Sequence, residues 1–104
     1  MAKYLITASY GAEGLKGLHK DKASGRREAV RQACESVGGK LEAFYFAFGE
    51  DDVVVDLPDN VAASAMSLAA SATGLIRTRT TALLTPEEVD KALGTTVRFR
   101  GAGA

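Results

Sequence analysis

Ser24, Gly25, Arg26 and Arg27 stand together where a helical pattern begins. A capping hydroxyl, free backbone N–H groups and two guanidinium groups suit an anion such as a phosphate or a carboxylate. The plainer reading is an N-cap whose arginines pair with carboxylates such as Asp21. His19 is the one histidine and the one side chain that ordinarily titrates near neutral pH. It is a candidate general base, set against a surface residue at a helix end. Tyr10 and Tyr45 are candidates to line a cleft and donate phenolic hydrogen bonds, set against core or interface aromatics. Glu50, Asp51 and Asp52 are successive carboxylates, which can share a proton or hold a hard cation. On a hairpin turn they are expected to point into water, and without calcium-loop spacing or a second acidic cluster no metal site is expected. Arg77 and Arg79 share a strand face, where they either pair with acids such as Glu42 or Asp56, hold an anion, or stay solvated. Cys34 falls in an apolar helix stripe and reads as a buried, inert thiol. No nucleophile set, metal-ligand set or Gly-rich nucleotide loop stands out, so the catalytic candidates are Tyr10, His19 and Tyr45, with Arg26 to be tested beside them, and no cofactor is expected.

Composition narrows the classes. The chain has 104 residues, enough for one domain with its own core, and 46% of them are hydrophobic. Thirteen basic and thirteen acidic residues cancel, so the footprint of a general nucleic-acid or anionic-membrane binder is missing. One cysteine and one histidine rule out an intramolecular disulfide and make a Cys/His zinc site within the chain a poor fit. No apolar run reaches the roughly 20 residues of a membrane span. Met1 leads straight into a strand pattern without a signal-peptide layout, so a cytoplasmic location is expected.

The elements that must position these residues read as follows. Lys3 to Tyr10 alternates as a strand, with Tyr4, Ile6, Ala8 and Tyr10 on one face. Ala12 to His19 and Ser24 to Val37 have helical spacing, either as one kinked helix or as two, ended by Gly38-Gly39. A hairpin follows, Leu41–Phe48 and Val53–Leu57 around a Gly49–Asp52 turn. Leu41, Ala43, Tyr45 and Ala47 are expected on one face of its first strand and Phe44, Phe46 and Phe48 on the other. Both faces are largely apolar, so the strand is expected to be covered on both sides, one of them by a partner subunit. Pro58 ends the hairpin, and Asp59 or Asn60 caps an Ala-rich helix to about Thr73, with Val61, Ala65, Leu68 and Ala72 as its expected core stripe. Leu75–Leu84 is the last strand. Thr85-Pro86-Glu87-Glu88 is a capping box with proline at N1, opening a short helix to about Leu93. The order is β-α-β-β-α-β plus a terminal helix: an α+β, ferredoxin-like domain over residues 1–94 with a four-stranded antiparallel sheet. Residues 95–104 form an extension in which Val97–Arg100 adds an edge strand or reaches a neighbour, and the closing Gly-Ala-Gly-Ala is expected to be disordered.

Tyr4–Tyr10, Gly25–Val30, Gly38–Gly49, Asp56–Asn60 and Thr80–Val89 together resemble the GYD-domain family of small bacterial proteins. The resemblance implies a dimeric α+β barrel in which two sheets face each other. The family is named for a Gly-Tyr-Asp turn, and here Gly49-Glu50-Asp51-Asp52 stands in its place, with Asp51 where the tyrosine is expected. Relatives in the wider barrel group include cofactor-free monooxygenases, haem enzymes and isomerases, and that likeness of fold carries no specific activity. The expectation is therefore a homo-oligomeric small-molecule-binding or structural protein, with an anionic ligand as one possibility. The alternative is a cofactor-independent, monooxygenase- or isomerase-like enzyme acting on a small organic substrate.

Overall fold

A computed structural model of the chain describes residues 1–104. The elements run β1 (Ala2–Tyr10), α1 (Ala12–Ser36), β2 (Lys40–Ala47), β3 (Glu50–Leu57), α2 (Asn60–Ala72), β4 (Ile76–Leu83) and α3 (Pro86–Leu93). The four strands form one antiparallel sheet in the order β2-β3-β1-β4. The sequence expectation of an α+β, ferredoxin-like fold with a terminal helix is met.

Period-two alternation puts the core on one face. Tyr4, Ile6 and Ala8 of β1 lie opposite Val55, Val53 and Asp51 of β3, and α1 and α2 cover this side. Tyr4, Cys34, Val53, Val55, Leu57, Ala62 and Ala63 form the buried cluster. Each fully buried Val or Leu there contributes roughly 1.5–3 kcal/mol. The other face of the sheet has no covering element within the chain. It carries Lys3, Leu5, Thr7 and Ser9 of β1, Arg77 and Arg79 of β4, and Glu50, Asp52 and Asp56 of β3.

Three local expectations need correction. The hairpin turns at Phe48-Gly49, and β3 begins at Glu50, so the three carboxylates lie in the strand and not in the turn. Gly49 has φ +80°, a conformation that glycine adopts without a side-chain clash, and this lets the reversal happen in so short a space. In β2 a bulge between Leu41 and Ala43 shifts the register. Leu41 therefore faces the helices with Phe44 and Phe46, while Ala43 and Tyr45 share the open face. In α2 the buried residues are Ala62 and Ala63, and Val61 and Leu68 are exposed. The Asp59 cap on Ala62 and the bond from the Tyr4 hydroxyl to Asn60 fix how this helix starts. Ala62, Ala63 and Met66 then lie toward the sheet, while Val61 and Leu68 turn outward.

α1 consists of two helical segments that meet at Lys22, where φ is 67° and ψ 165° and the backbone is not helical. Its start is fastened to the entry of β4. The Gly11 N–H donates to the Leu75 carbonyl at 3.0 Å, and Gly14 is so close that a Cβ there would sit 2.3 Å from the same oxygen. That contact fixes the end of β1, where Tyr10 sits, against the start of α1. The capping box of α3 forms as read, with Thr85 Oγ1 accepting from the Glu88 N–H and Glu88 Oε1 from the Thr85 N–H. No regular element follows α3.

Candidate functional site

The end of β1, the start of β3 and the second half of α1 bring together Tyr10, Asp51 and Arg26. Ala8 and Asp51 are cross-strand partners, and β1 carries Tyr10 two residues further along the same face. Asp51 is 2% exposed, the one acidic side chain in the protein's interior. The Tyr10 hydroxyl donates to its Oδ2. The Arg26 guanidinium lies beside both. It forms no ion pair within 4 Å, and its Nε is shut off from solvent without an acceptor.

Burial is what makes this cluster unusual. It pushes the Asp51 carboxyl above the ordinary carboxylate range, helped by the neighbouring charges of Asp52 and Glu50. The Tyr10 bond and the Arg26 charge pull the other way and do not prevail. The Tyr10 phenol is pushed up to about 12, first by burial and then by the adjacent carboxylate. The phenol therefore keeps its proton and donates it in the hydrogen bond to Asp51. Because the phenolic hydrogen is committed to Asp51, the phenol oxygen is left as an acceptor, while Arg26 supplies donors. Asp51 itself is sealed in. Tyr10 and Arg26 are partly exposed, and Asp51 positions Tyr10.

The other candidates are scattered. Ser24 and Arg27 are exposed, so of the anion trio only Arg26 turns inward. His19 is exposed on α1, where it lines a groove of about 220 Å³ at the kink with Leu15, Leu18, Lys22 and Ala23. Tyr45 is 74% exposed on the open face of the edge strand β2. Cys34 is fully buried, and burial raises its thiol pKa. Arg77 and Arg79 form no ion pair within the chain. They line a cleft of about 230 Å³ on the open face with Thr7, Ser9 and Glu50. Nearby, Thr7 donates to Asp52 at 2.7 Å. On the same face Lys3 bridges Asp56, at 2.8 Å, and Glu42. No three of the His, Cys, Asp and Glu side chains converge as a metal site would require. No helix is long and apolar enough to cross a membrane.

Asp51 is the residue that sequence reasoning missed. Its signal was present in the alternation of β3: Asp51, Val53, Val55 and Leu57 share a parity, and all four are buried. Moving the turn by two residues hides that parity.

Comparison with curated proteins and with solved structures returns no match. A family model does match, over residues 4–93, which takes in β1 from Tyr4 onward, the other three strands and the three helices. The chain belongs to the GYD domain family.

Proposed function

We propose that the protein is a homo-oligomeric binding protein for a small organic molecule that presents a carboxylate or another acceptor oxygen to Arg26 and Tyr10. The observation that carries this is the Arg26 Nε, buried and without an acceptor beside the Tyr10–Asp51 pair. A buried donor left unsatisfied costs about 1–3 kcal/mol. An acceptor from a ligand recovers that energy, and the planar guanidinium fork suits a carboxylate better than an ammonium would.

The oligomer in this proposal is joined through the open sheet face. Arg77 and Arg79 on β4 have no partner in their own chain, while β3 offers Glu50 and Asp52 on the same face. A two-fold axis places one copy's arginines over the other's acids, as an isologous contact requires.

The test is native mass spectrometry of the purified protein, followed by the Arg26 Nε–H NMR signal during titration with benzoate. The expected result is a dimer or a multiple of dimers, with an Arg26 Nε–H shift that saturates and is abolished in Arg26→Leu. A monomer at micromolar concentration removes the oligomer, and an unmoved Nε signal at millimolar benzoate removes the carboxylate site. The Tyr10–Asp51 pair also favours a second reading, a cofactor-independent enzyme of isomerase type that moves a proton on the bound molecule. Turnover that is lost in both Tyr10→Phe and Asp51→Asn distinguishes it from binding alone.

A further inference from the structure

Besides the hairpin end, where Tyr45, Phe46 and Phe48 are exposed, two apolar surfaces of this chain are left uncovered, and they match. The first is the C-terminal arm. α3 buries no residue and packs to no real extent on any other element. Leu84, Leu93, Val97 and Phe99 are 65%, 79%, 73% and 85% exposed. The radius of gyration is 16.9 Å and the longest dimension 56 Å, against about 13 Å for the radius of a compact chain of this length.

The second surface is the outer face of α2. Val61, Ala65, Leu68 and Ala72 recur there at helical spacing and all are exposed. Val61 is 76% and Leu68 71% exposed with the arm in place, so the chain's own arm leaves this stripe open. Asn60–Ala72 contains no Asp, Glu, Lys or Arg. A helix face that works in water normally carries charge, and one apolar on both sides is normally covered.

We infer that the arm of one copy, Leu84 to Phe99, docks on the outer face of α2 of a second copy. Val97 and Phe99 alternate with Arg98 and Arg100. An extended segment therefore turns two apolar side chains to the uncharged helix and two guanidinium groups to water, and no charge is buried in the contact. Six large apolar side chains meet in each exchange. Complete cover of these side chains in both exchanges would remove at most on the order of 1,600 Å² from water, within the size range of a stable interface. Reciprocity closes the pair about a two-fold axis and leaves no free arm to propagate a filament. The contact uses neither the open sheet face nor the Tyr10 cluster, so it goes beyond the function proposed above and stands or falls separately.

Disulfide trapping between two single variants decides it. Phe99→Cys and Leu68→Cys both alter exposed positions, and the native Cys34 is fully buried and silent. Mixed under mild oxidation, the two variants are expected to give a covalent heterodimer in yields well above either variant alone. Within full-length chains, Val97→Asp combined with Phe99→Asp is expected to weaken this association at least tenfold, read by native mass spectrometry, with an unchanged circular dichroism spectrum. Failure of the mixture to cross-link overturns the inference. So does an internally linked monomer from the double variant Phe99→Cys, Leu68→Cys, because that places the arm on its own helix. Arg77→Glu with Arg79→Glu separates the two contacts: trapping that survives it reports the arm, and trapping that disappears with it overturns an independent arm contact.

Discussion

The Tyr10 hydroxyl donates to the carboxylate of Asp51, which is 2% exposed. The bond joins the last residue of β1 to the second residue of β3 at the mouth between the sheet and α1. It makes the two ionisations interdependent, and both can be followed in solution.

Tyr10 is expected to ionise near 12, above the ordinary value of 10. The folded state holds the phenolic proton more tightly than the unfolded chain does, so this group's contribution to stability is complete below pH 10 and declines as the pH rises through 12. Absorbance near 295 nm, taken as wild type minus Tyr10→Phe, isolates the group from Tyr4 and Tyr45. Asp51→Asn is expected to lower the midpoint only in part, because burial is the larger cause. A wild-type midpoint near 10 contradicts the geometry.

Asp51 has the opposite chemistry from an acid held in a salt bridge. Its folded carboxyl pKa lies above the unfolded value, chiefly through burial. The folded state therefore favours the protonated form. The acid is most favourable below the unfolded pKa, near 3.9, and progressively less so as the pH rises through the folded value. Asp51→Asn keeps an acceptor for Tyr10 and removes the charge. It is expected to be more stable than wild type at pH 7 by about 1.4 kcal/mol per unit of pKa rise, with the gap closing toward pH 4. Urea denaturation at the two pH values measures it, and a gap that widens in acid shows the sign to be wrong.

These groups also show how far the sequence could be read. The order of elements was legible, because alternation in Lys3–Tyr10, helical spacing in Ala29–Val37 and the Thr85–Glu88 capping box are local signals, and local geometry decides them. Tyr10 and Arg26 were legible as candidates by residue type. Their meeting was not, because 15 positions and a kink at Lys22 separate them and only the tertiary fold brings them together. Asp51 was hidden by the turn: a run of three acids after glycine looks like solvent-facing chemistry until a two-residue turn moves it into the strand. The α2 stripe was misassigned for a related reason. In a helix of Ala and Ser, several faces are almost equally apolar, and the Asp59 cap and the Tyr4–Asn60 bond choose among them.

Thr85 tests whether α3 stands by its own capping. With no residue of α3 buried, little but the capping box and the helix's own bonds hold it within one chain. Thr85→Ala removes the acceptor for the Glu88 N–H and is expected to cost α3 about 1 kcal/mol. Hydrogen exchange should quicken across Glu87–Leu93 and stay unchanged in β1 and β3. Equal acceleration in the sheet places α3 in the cooperative core, contrary to its exposure.

The two glycines near the start of α1 give a paired prediction with opposite signs. A Cβ on Gly17 meets nothing within 4 Å, and a Cβ on Gly14 meets the Leu75 carbonyl oxygen at 2.3 Å. Gly17→Ala restricts the unfolded chain and suits a helix interior, so it should stabilise by about 0.5–1 kcal/mol. Gly14→Ala gains the same propensity but pushes α1 off the backbone that enters β4, and should destabilise by about 1–3 kcal/mol net. Because the Gly11–Leu75 bond lies one residue beyond Tyr10, the displaced helix start should also loosen the mouth of the site. The Tyr10 ionisation then moves back toward 10 in Gly14→Ala and holds its place in Gly17→Ala. Equal thermal shifts for the two variants would show that the close approach of α1 to Leu75 does not exist in solution.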